Sequence, residues 1–234
     1  MKYYDSVVQS IQAESEGIFR LRVKPIRSET FTFFPGQYVF MKNPRFHPQE
    51  GHAFSIASSP LTKGCLEFCI KEYGNWTQKI ANVQTGDSLK ISKPTGTFIW
   101  NDSFKHAVFL IGGLGISPVM SILRTIHIQK ADPYITLLYG SRSPSQVVFK
   151  KELENLACTL SHFKIIHIFS HLHNNHTWQG YSGFITEEIV KKEIDRTKNP
   201  HYFIVGPPIF LEKMIHILEK LSVSSDRIHR ENVS

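Results

Sequence analysis

Three apolar runs in this sequence end in residues suited to holding a phosphate. In HAVFLIGGLGISPVM, residues 106–120, a strand pattern runs into Gly112-Gly113-Leu114-Gly115 and then into a helix starting near Ser117-Pro118. A second run ends in Tyr139-Gly140-Ser141-Arg142 and a third in Gly206-Pro207-Pro208. Glycines let backbone amides approach a phosphate or a flat ring closely, and a helix start aims free N–H groups at an anion. The glycine spacing is G-G-x-G rather than G-x-G-x-x-G. About twenty residues on, where an acid would hold ribose hydroxyls, stands Arg142; Asp132, the nearby acid, is followed by Pro133. A guanidinium there can hold a terminal phosphate through two hydrogen bonds. A nucleotide bearing such a phosphate is the expected ligand of these three strand ends.

The stretch GHAFSIASSP, residues 51–60, offers a different chemistry. Small residues flank Phe54 and Ser55 in a strand pattern, so a flat ring can approach. Phe54 can stack on it, and the Ser55 hydroxyl can donate to or accept from a heteroatom. His52 points the same way as Phe54 and can touch a phosphate. Just downstream, KEYGNWTQKI supplies Gly74, a hydroxyl at Thr77 and a helix start, again suited to a pyrophosphate.

Two kinds of periodicity must position these residues. Up to about residue 101 the chain shows short alternating runs (YYDSVVQSI, IFRLRVKP, GQYVFMK, HAFSIASS, CLEFCIKEY, DSLKISKP) separated by turn signals such as Pro35-Gly36 and Thr85-Gly86. These predict an antiparallel barrel or sandwich, interrupted by a short helix over 75–83. Beyond Asn101, apolar strands at 106–111, 134–139, 163–169 and 201–205 alternate with amphipathic segments at 117–129, 145–157, 186–195 and 208–221. That alternation predicts a parallel sheet of βαβ units. The expected division is 1–101 and 102–234, with the boundary near 101–105.

Composition bounds the remaining classes. The 234 residues are 41 % hydrophobic with a net charge of +7, as in ordinary globular proteins. Lys and Arg exceed Asp and Glu by four in residues 1–101 and by three in 102–234. A nucleic-acid footprint is clustered, so none is expected. Without a long apolar run or an apolar leader, the expectation is a cytoplasmic protein with no membrane span. Cys65, Cys69 and Cys158 lack metal-type spacing; an iron–sulfur cluster needs about four such ligands. His171, His173 and His176 lie within six positions, with His167 just upstream; between a strand and WQGYSG, this segment is expected to hold solvated loop histidines rather than a zinc site.

With these residues in view, the sequence resembles the ferredoxin–NADP+ reductase superfamily over essentially its whole length. That family has an Arg-x-Tyr-Ser flavin motif, here His52-Ala53-Phe54-Ser55, and a Gly-x-x-Ser/Thr motif, here Gly74-Asn75-Trp76-Thr77. Its Gly-Gly-x-Gly-Ile-x-Pro motif matches 112–118, its YGSR strand end matches 139–142, and its Cys-Gly-Pro-Pro appears as Val205-Gly206-Pro207-Pro208. PGQY at 35–38 and WQGYSG at 178–183 also resemble the family, and its C-terminal Glu-x-aromatic appears as Glu231-Asn232-Val233.

The resemblance implies an antiparallel Greek-key FAD-binding barrel followed by a parallel-sheet α/β domain for the nicotinamide nucleotide. It implies FAD contacts from His52, Ala53, Phe54, Ser55, Ile70, Lys71 and Gly74 to Thr77. Nucleotide contacts are implied from Gly112 to Gly115, from Ser141 and Arg142, and from Gly206 to Pro208. The implied reaction passes hydride from NAD(P)H, with NADPH favoured by Arg142, to flavin N5, then single electrons to a separate acceptor: a ferredoxin, a flavodoxin, an oxygenase component or a small quinone. The flavin carries the chemistry and the protein sets distance and electrostatics: Ser55 polarises N5, and Glu231 acts as a nearby hydrogen-bond or proton group.

Four departures bear on rate and affinity: His52 for arginine, Phe54 for tyrosine, Val205 for cysteine, and no terminal aromatic. They keep open a catalytically weakened flavin-binding module as an alternative. The electron-transfer subunit of a larger dehydrogenase is another alternative, although the C-terminal cysteine cluster of dihydroorotate dehydrogenase subunits is absent after Cys158.

Overall fold

The structure is a computed structural model that describes residues 2–26, 31–172 and 178–232. The chain divides into two compact units: Met1–Trp100 with Ser117–Gln129, and Asn101–Ile116 with Lys130–Ser234.

The first unit holds a six-stranded sheet of β1 (Tyr3–Ser15), β2 (Ile18–Pro25), β3 (Tyr38–Asn43), β4 (His47–Ser55), β5 (Leu66–Lys71) and β6 (Ser88–Ser92). The order is β4-β3-β6-β1-β2-β5, and every neighbouring pair is antiparallel. Inserting β6 between β3 and β1 is the long return of a Greek key. Just past β4, the Ala57 N–H donates to the Glu67 carbonyl of β5 at 2.8 Å and joins the two edge strands. Alternation decides which side chains turn inward: in β2, Phe19, Leu21 and Val23 are buried while Arg22 and Lys24 are exposed. Gly17 turns β1 into β2 at φ +65°, a left-handed conformation that glycine takes without steric cost. The core gathers Leu21, Val39, Phe68, Leu89 and Ile91 with Trp76 and Ile80 of the short helix α1 (Gly74–Ile80).

The second unit has the order β10-β9-β8-β7-β11-β12, all parallel. The strands are β7 (His106–Gly112), β8 (Tyr134–Ser141), β9 (Phe163–Phe169), β10 (Tyr181–Ser182), β11 (His201–Gly206) and β12 (Ile228–Asn232). In β7, Ala107 to Ile111 are all buried, the continuous apolar run of a parallel strand. The helices are α2 (Ile116–Gln129), α3 (Lys150–Thr159), α4 (Glu187–Glu193) and α5 (Pro208–Lys220). Contacts assign α2 from Ser117 onward to the first unit, although its sequence position falls among the βαβ units.

Three local features differ from expectation. The helix expected over 145–157 starts at Lys150, because Pro144–Gln146 form a 3-10 turn and Phe149 takes a left-handed φ of +57°. The two-residue strand β10 and the C-terminal strand β12 lacked an alternation long enough to read. They form by pairing with β9 and β11.

Candidate nucleotide and flavin sites

The second sheet reverses its order between β7 and β11, and in open α/β sheets ligands bind beside that point, beyond the carboxyl ends of the strands. A cavity of about 410 Å³ lies there, lined by Gly112, Gly113, Gly140, Ser141, Arg142 and Pro207 among others. Ser141 is 9 % exposed, and its hydroxyl has no hydrogen-bond partner among the described residues. An unpartnered buried hydroxyl is costly unless a ligand or water satisfies it. Beside it, Arg142 is exposed. Among the described residues no carboxylate lines this cavity, so an additional phosphate would meet a hydroxyl and a guanidinium rather than a repelling acid.

The glycines divide by role. A Cβ on Gly115 would lie 2.5 Å from the Val205 carbonyl, and one on Gly206 would lie 2.6 Å from the Phe210 ring, so these two serve close internal packing. Gly113, at φ +56°, has open space where its side chain would be, and a ligand can approach that backbone. Leu114 is half-buried in the turn, and Pro207 and Pro208 are exposed at the start of α5.

Sequence reasoning missed other residues on the cavity wall: Phe184, Ile209 and Lys213. Phe184 and Ile209 are 69 % and 68 % exposed, and the Lys213 ammonium sits 5.5 Å from the Phe184 ring centre. Phe184 follows the WQGYSG segment, a signal of position without a signal of role.

In the first unit, His52 and Phe54 share one face of β4. Their rings pack on Trp76 with centroids 4.4 and 5.5 Å away. Ala53 and Ser55 fall on the opposite face by alternation. Phe54 and Ser55 are half-buried. Trp76 is 5 % exposed and Ile70 1 %, both in the core, so their side chains support the site from behind. The Thr77 hydroxyl closes the first turn of α1: it accepts from the Tyr73 N–H at 2.6 Å and donates to the Tyr73 carbonyl at 2.7 Å. Lys71, Gly74 and Asn75 are exposed. Gly74, at φ +77°, has open space where a Cβ would be. A half-buried aromatic ring backed by a core tryptophan, whose helix starts at an open glycine turn, fits a flavin with its diphosphate tail.

Glu231 lies on β12 opposite Val205 of β11. It is 7 % exposed, and both carboxylate oxygens lack hydrogen-bond partners among the described residues. Burial pushes its pKa up to about 8, so at neutral pH it is mostly a neutral acid able to donate. Val205 is fully buried, and Val233 lies outside the described residues. Two residues before Glu231, His229 bonds to His201 across β11 and β12, ring nitrogens 3.0 Å apart, and both rings pack on Phe104. No local pattern marks this cluster, whose two histidines lie on different strands.

His173 and His176 of the histidine-rich loop lie outside the described residues. His167 lies on β9 and packs between Tyr139 and Phe169, and burial pushes its pKa down, with Lys150 adding to the effect.

An antiparallel unit with an aromatic-backed strand, followed by a parallel unit with a glycine-lined, arginine-edged cavity, defines a two-part oxidoreductase of flavin and nicotinamide nucleotide. Residues 6–100 match the family described as "Oxidoreductase FAD-binding domain" and residues 109–216 that described as "Oxidoreductase NAD-binding domain". The chain belongs to the ferredoxin–NADP+ reductase superfamily. It is 27 % identical over 228 residues to the reductase component of propane 2-monooxygenase of Mycolicibacterium smegmatis, covering 94 % of this chain and 65 % of that one. It is 32 % identical over 162 residues to NADH-cytochrome b5 reductase 2 of Lodderomyces elongisporus, covering 66 % of this chain and 54 % of that one. The chain thus spans between half and two thirds of these relatives. The fold matches a ferredoxin NADP+ reductase from Neisseria gonorrhoeae, solved with FAD and NADP bound, at a TM-score of 0.82, 20 % identity and full coverage of both chains.

Proposed function

We propose that this chain is an FAD-dependent reductase that draws on NADPH and delivers electrons to a separate protein acceptor of the oxygenase-component kind. The observation that carries the NADPH preference is the buried Ser141 hydroxyl beside exposed Arg142, with neither a partner for that hydroxyl nor a carboxylate in the cavity among the described residues. The reductase components among its relatives support a protein acceptor.

FAD, when bound, supplies a hydride acceptor that releases electrons singly. The chain's own residues do the rest. Phe54, backed by Trp76, offers a flat surface, and Ser55 offers a hydroxyl to a ring nitrogen. His52, shorter than the family's arginine, gives one contact to the diphosphate instead of a two-pronged one. The Gly113 backbone approaches the nucleotide diphosphate, and Ser141 and Arg142 bind the 2′-phosphate. Glu231, protonated at neutral pH, holds a proton in a dry setting where it can donate a hydrogen bond.

A hydrogen bond to a charged group contributes about 1.5–3 kcal/mol, or roughly 10- to 150-fold in affinity. Steady-state kinetics should therefore show kcat/KM for NADPH at least about tenfold above that for NADH. Arg142→Ala should remove most of that preference and leave NADH within about twofold. Equal losses with both nucleotides would assign Arg142 to a part that they share and end the preference claim.

A further inference from the structure

Helix α2 buries a polar stripe. Ser121, Arg124 and Thr125 stand three and four positions apart and so share one face; Ser121 is 0 % and Thr125 3 % exposed. All three side chains act on residues 57–59, the segment directly after the flavin-motif strand. Arg124 donates to the Ala57 carbonyl at 2.8 Å, and the Ser121 hydroxyl donates to the Ser58 carbonyl at 2.7 Å. The Thr125 hydroxyl donates to the Ser121 carbonyl at 2.7 Å. Its single proton is thereby used, so in the 2.8 Å contact between Ser59 and Thr125 the serine is the donor.

Behind the segment, buried Glu67 pairs with Arg124 at 2.8 Å and with Arg22 at 2.7 Å. Burial alone would raise the Glu67 pKa; the two guanidiniums outweigh it and hold the carboxyl below its usual range. The Glu67 backbone takes up the rest: its carbonyl accepts from the Ala57 N–H at 2.8 Å, and its N–H donates to the Ser58 hydroxyl at 3.2 Å.

Buried polar groups are costly unless satisfied, and an apolar helix face would pack against an extended segment without any of this. What the polar seam adds is a fixed register. α2 continues without a break from the Gly113–Gly115 turn, and residues 57–59 continue from Phe54 and Ser55. We propose that this seam couples the two ligand sites: a nucleotide diphosphate at the glycine turn orders α2, and α2 in turn holds the flavin-facing strand end. Each ligand then orders part of what the other needs ordered, which gives positive coupling without a large movement. Arg124 and Ser121 are positioning residues in this scheme. The inference rests on the proposed assignment of flavin and nucleotide to their sites.

The test uses apoprotein, FAD and 2′-phospho-ADP-ribose, which lacks the nicotinamide ring and so cannot stack on the flavin. FAD affinity is read from quenching of flavin fluorescence, with and without saturating 2′-phospho-ADP-ribose. Coupling free energies between sites commonly give 5- to 150-fold effects, and the wild type should bind FAD at least about fivefold more tightly with the nucleotide present. In Arg124→Lys, which keeps the charge but loses the fork, that ratio should fall towards one, with nucleotide affinity alone within about twofold of wild type. The milder Ser121→Ala should reduce the ratio in the same direction and serves if the lysine variant folds poorly. A wild-type ratio of one, or variants that keep the wild-type ratio, would overturn the coupling while leaving both site assignments intact. A wild type that binds no FAD would overturn the site assignment and the coupling together.

Discussion

At the scale of single residues, Glu231 carries the clearest pH signature. Its folded pKa of about 8 stands above its ordinary value of 4.5. Between those values the folded protein holds a proton that the unfolded chain releases. Stability therefore falls as pH rises, beginning near pH 4.5 and ending near pH 8. Glu231→Gln keeps the shape and removes the titration. Above the histidine range its melting temperature should be nearly flat from pH 7 to 8, where wild type falls, and should lie above wild type at pH 8. A wild-type slope retained in the variant would place the titration elsewhere. Val205 yields a second prediction, from the thiol that the family carries there. If that thiol supports hydride transfer, Val205→Cys should speed flavin reduction in stopped flow, with nucleotide affinity unchanged. An unchanged or slower rate would mean that the valine is an accommodated core residue.

At the scale of elements, β12 is held on β11 by more than its backbone ladder. His229 stacks on Phe203 with centroids 4.5 Å apart, and both histidines pack on Phe104. The hydrogen bond between them needs one ring to donate and the other to accept, so a second added proton breaks it. Desolvation lowers both pKa values, first among their causes; next come Arg227 for His201 and His201 itself for His229, while Asp226 opposes. With folded pKa values below the unfolded one, stability is lost as pH falls through the ordinary histidine range near 6.5. Hydrogen exchange of the β12 amides should accelerate between pH 7 and pH 5.5 beyond the intrinsic pH dependence. In His229→Gln that excess should vanish; its persistence would remove the pair as the cause.

At the scale of the whole molecule, the cofactor is the decisive measurement. A flavoprotein with the Gly74 turn and His52 available for a diphosphate should release FAD, not FMN, when heated and resolved by chromatography. FMN alone, or no flavin after reconstitution, would contradict the assignment. Among the described residues no helix is long and apolar enough to cross a membrane.

What the sequence determined by itself was local. Alternation wrote the antiparallel strands, continuous apolar runs wrote β7 and β11, and glycines marked the strand ends that line the cavity, because turn and strand preferences act over a few residues. It also placed an arginine where an acid would sit. The tertiary structure decided what depends on residues far apart in the chain. Thr77 turns its hydroxyl to its own helix, and Trp76 sinks into the core behind Phe54. β12 exists because β11 offers an edge to pair with, and burial there turns Glu231 from a C-terminal carboxylate into a neutral acid. In the sequence, α2 shows only as an amphipathic segment. Its polar face becomes a buried seam because the carbonyls of residues 57 and 58, with Glu67 behind them, satisfy it, and no local pattern carries that pairing.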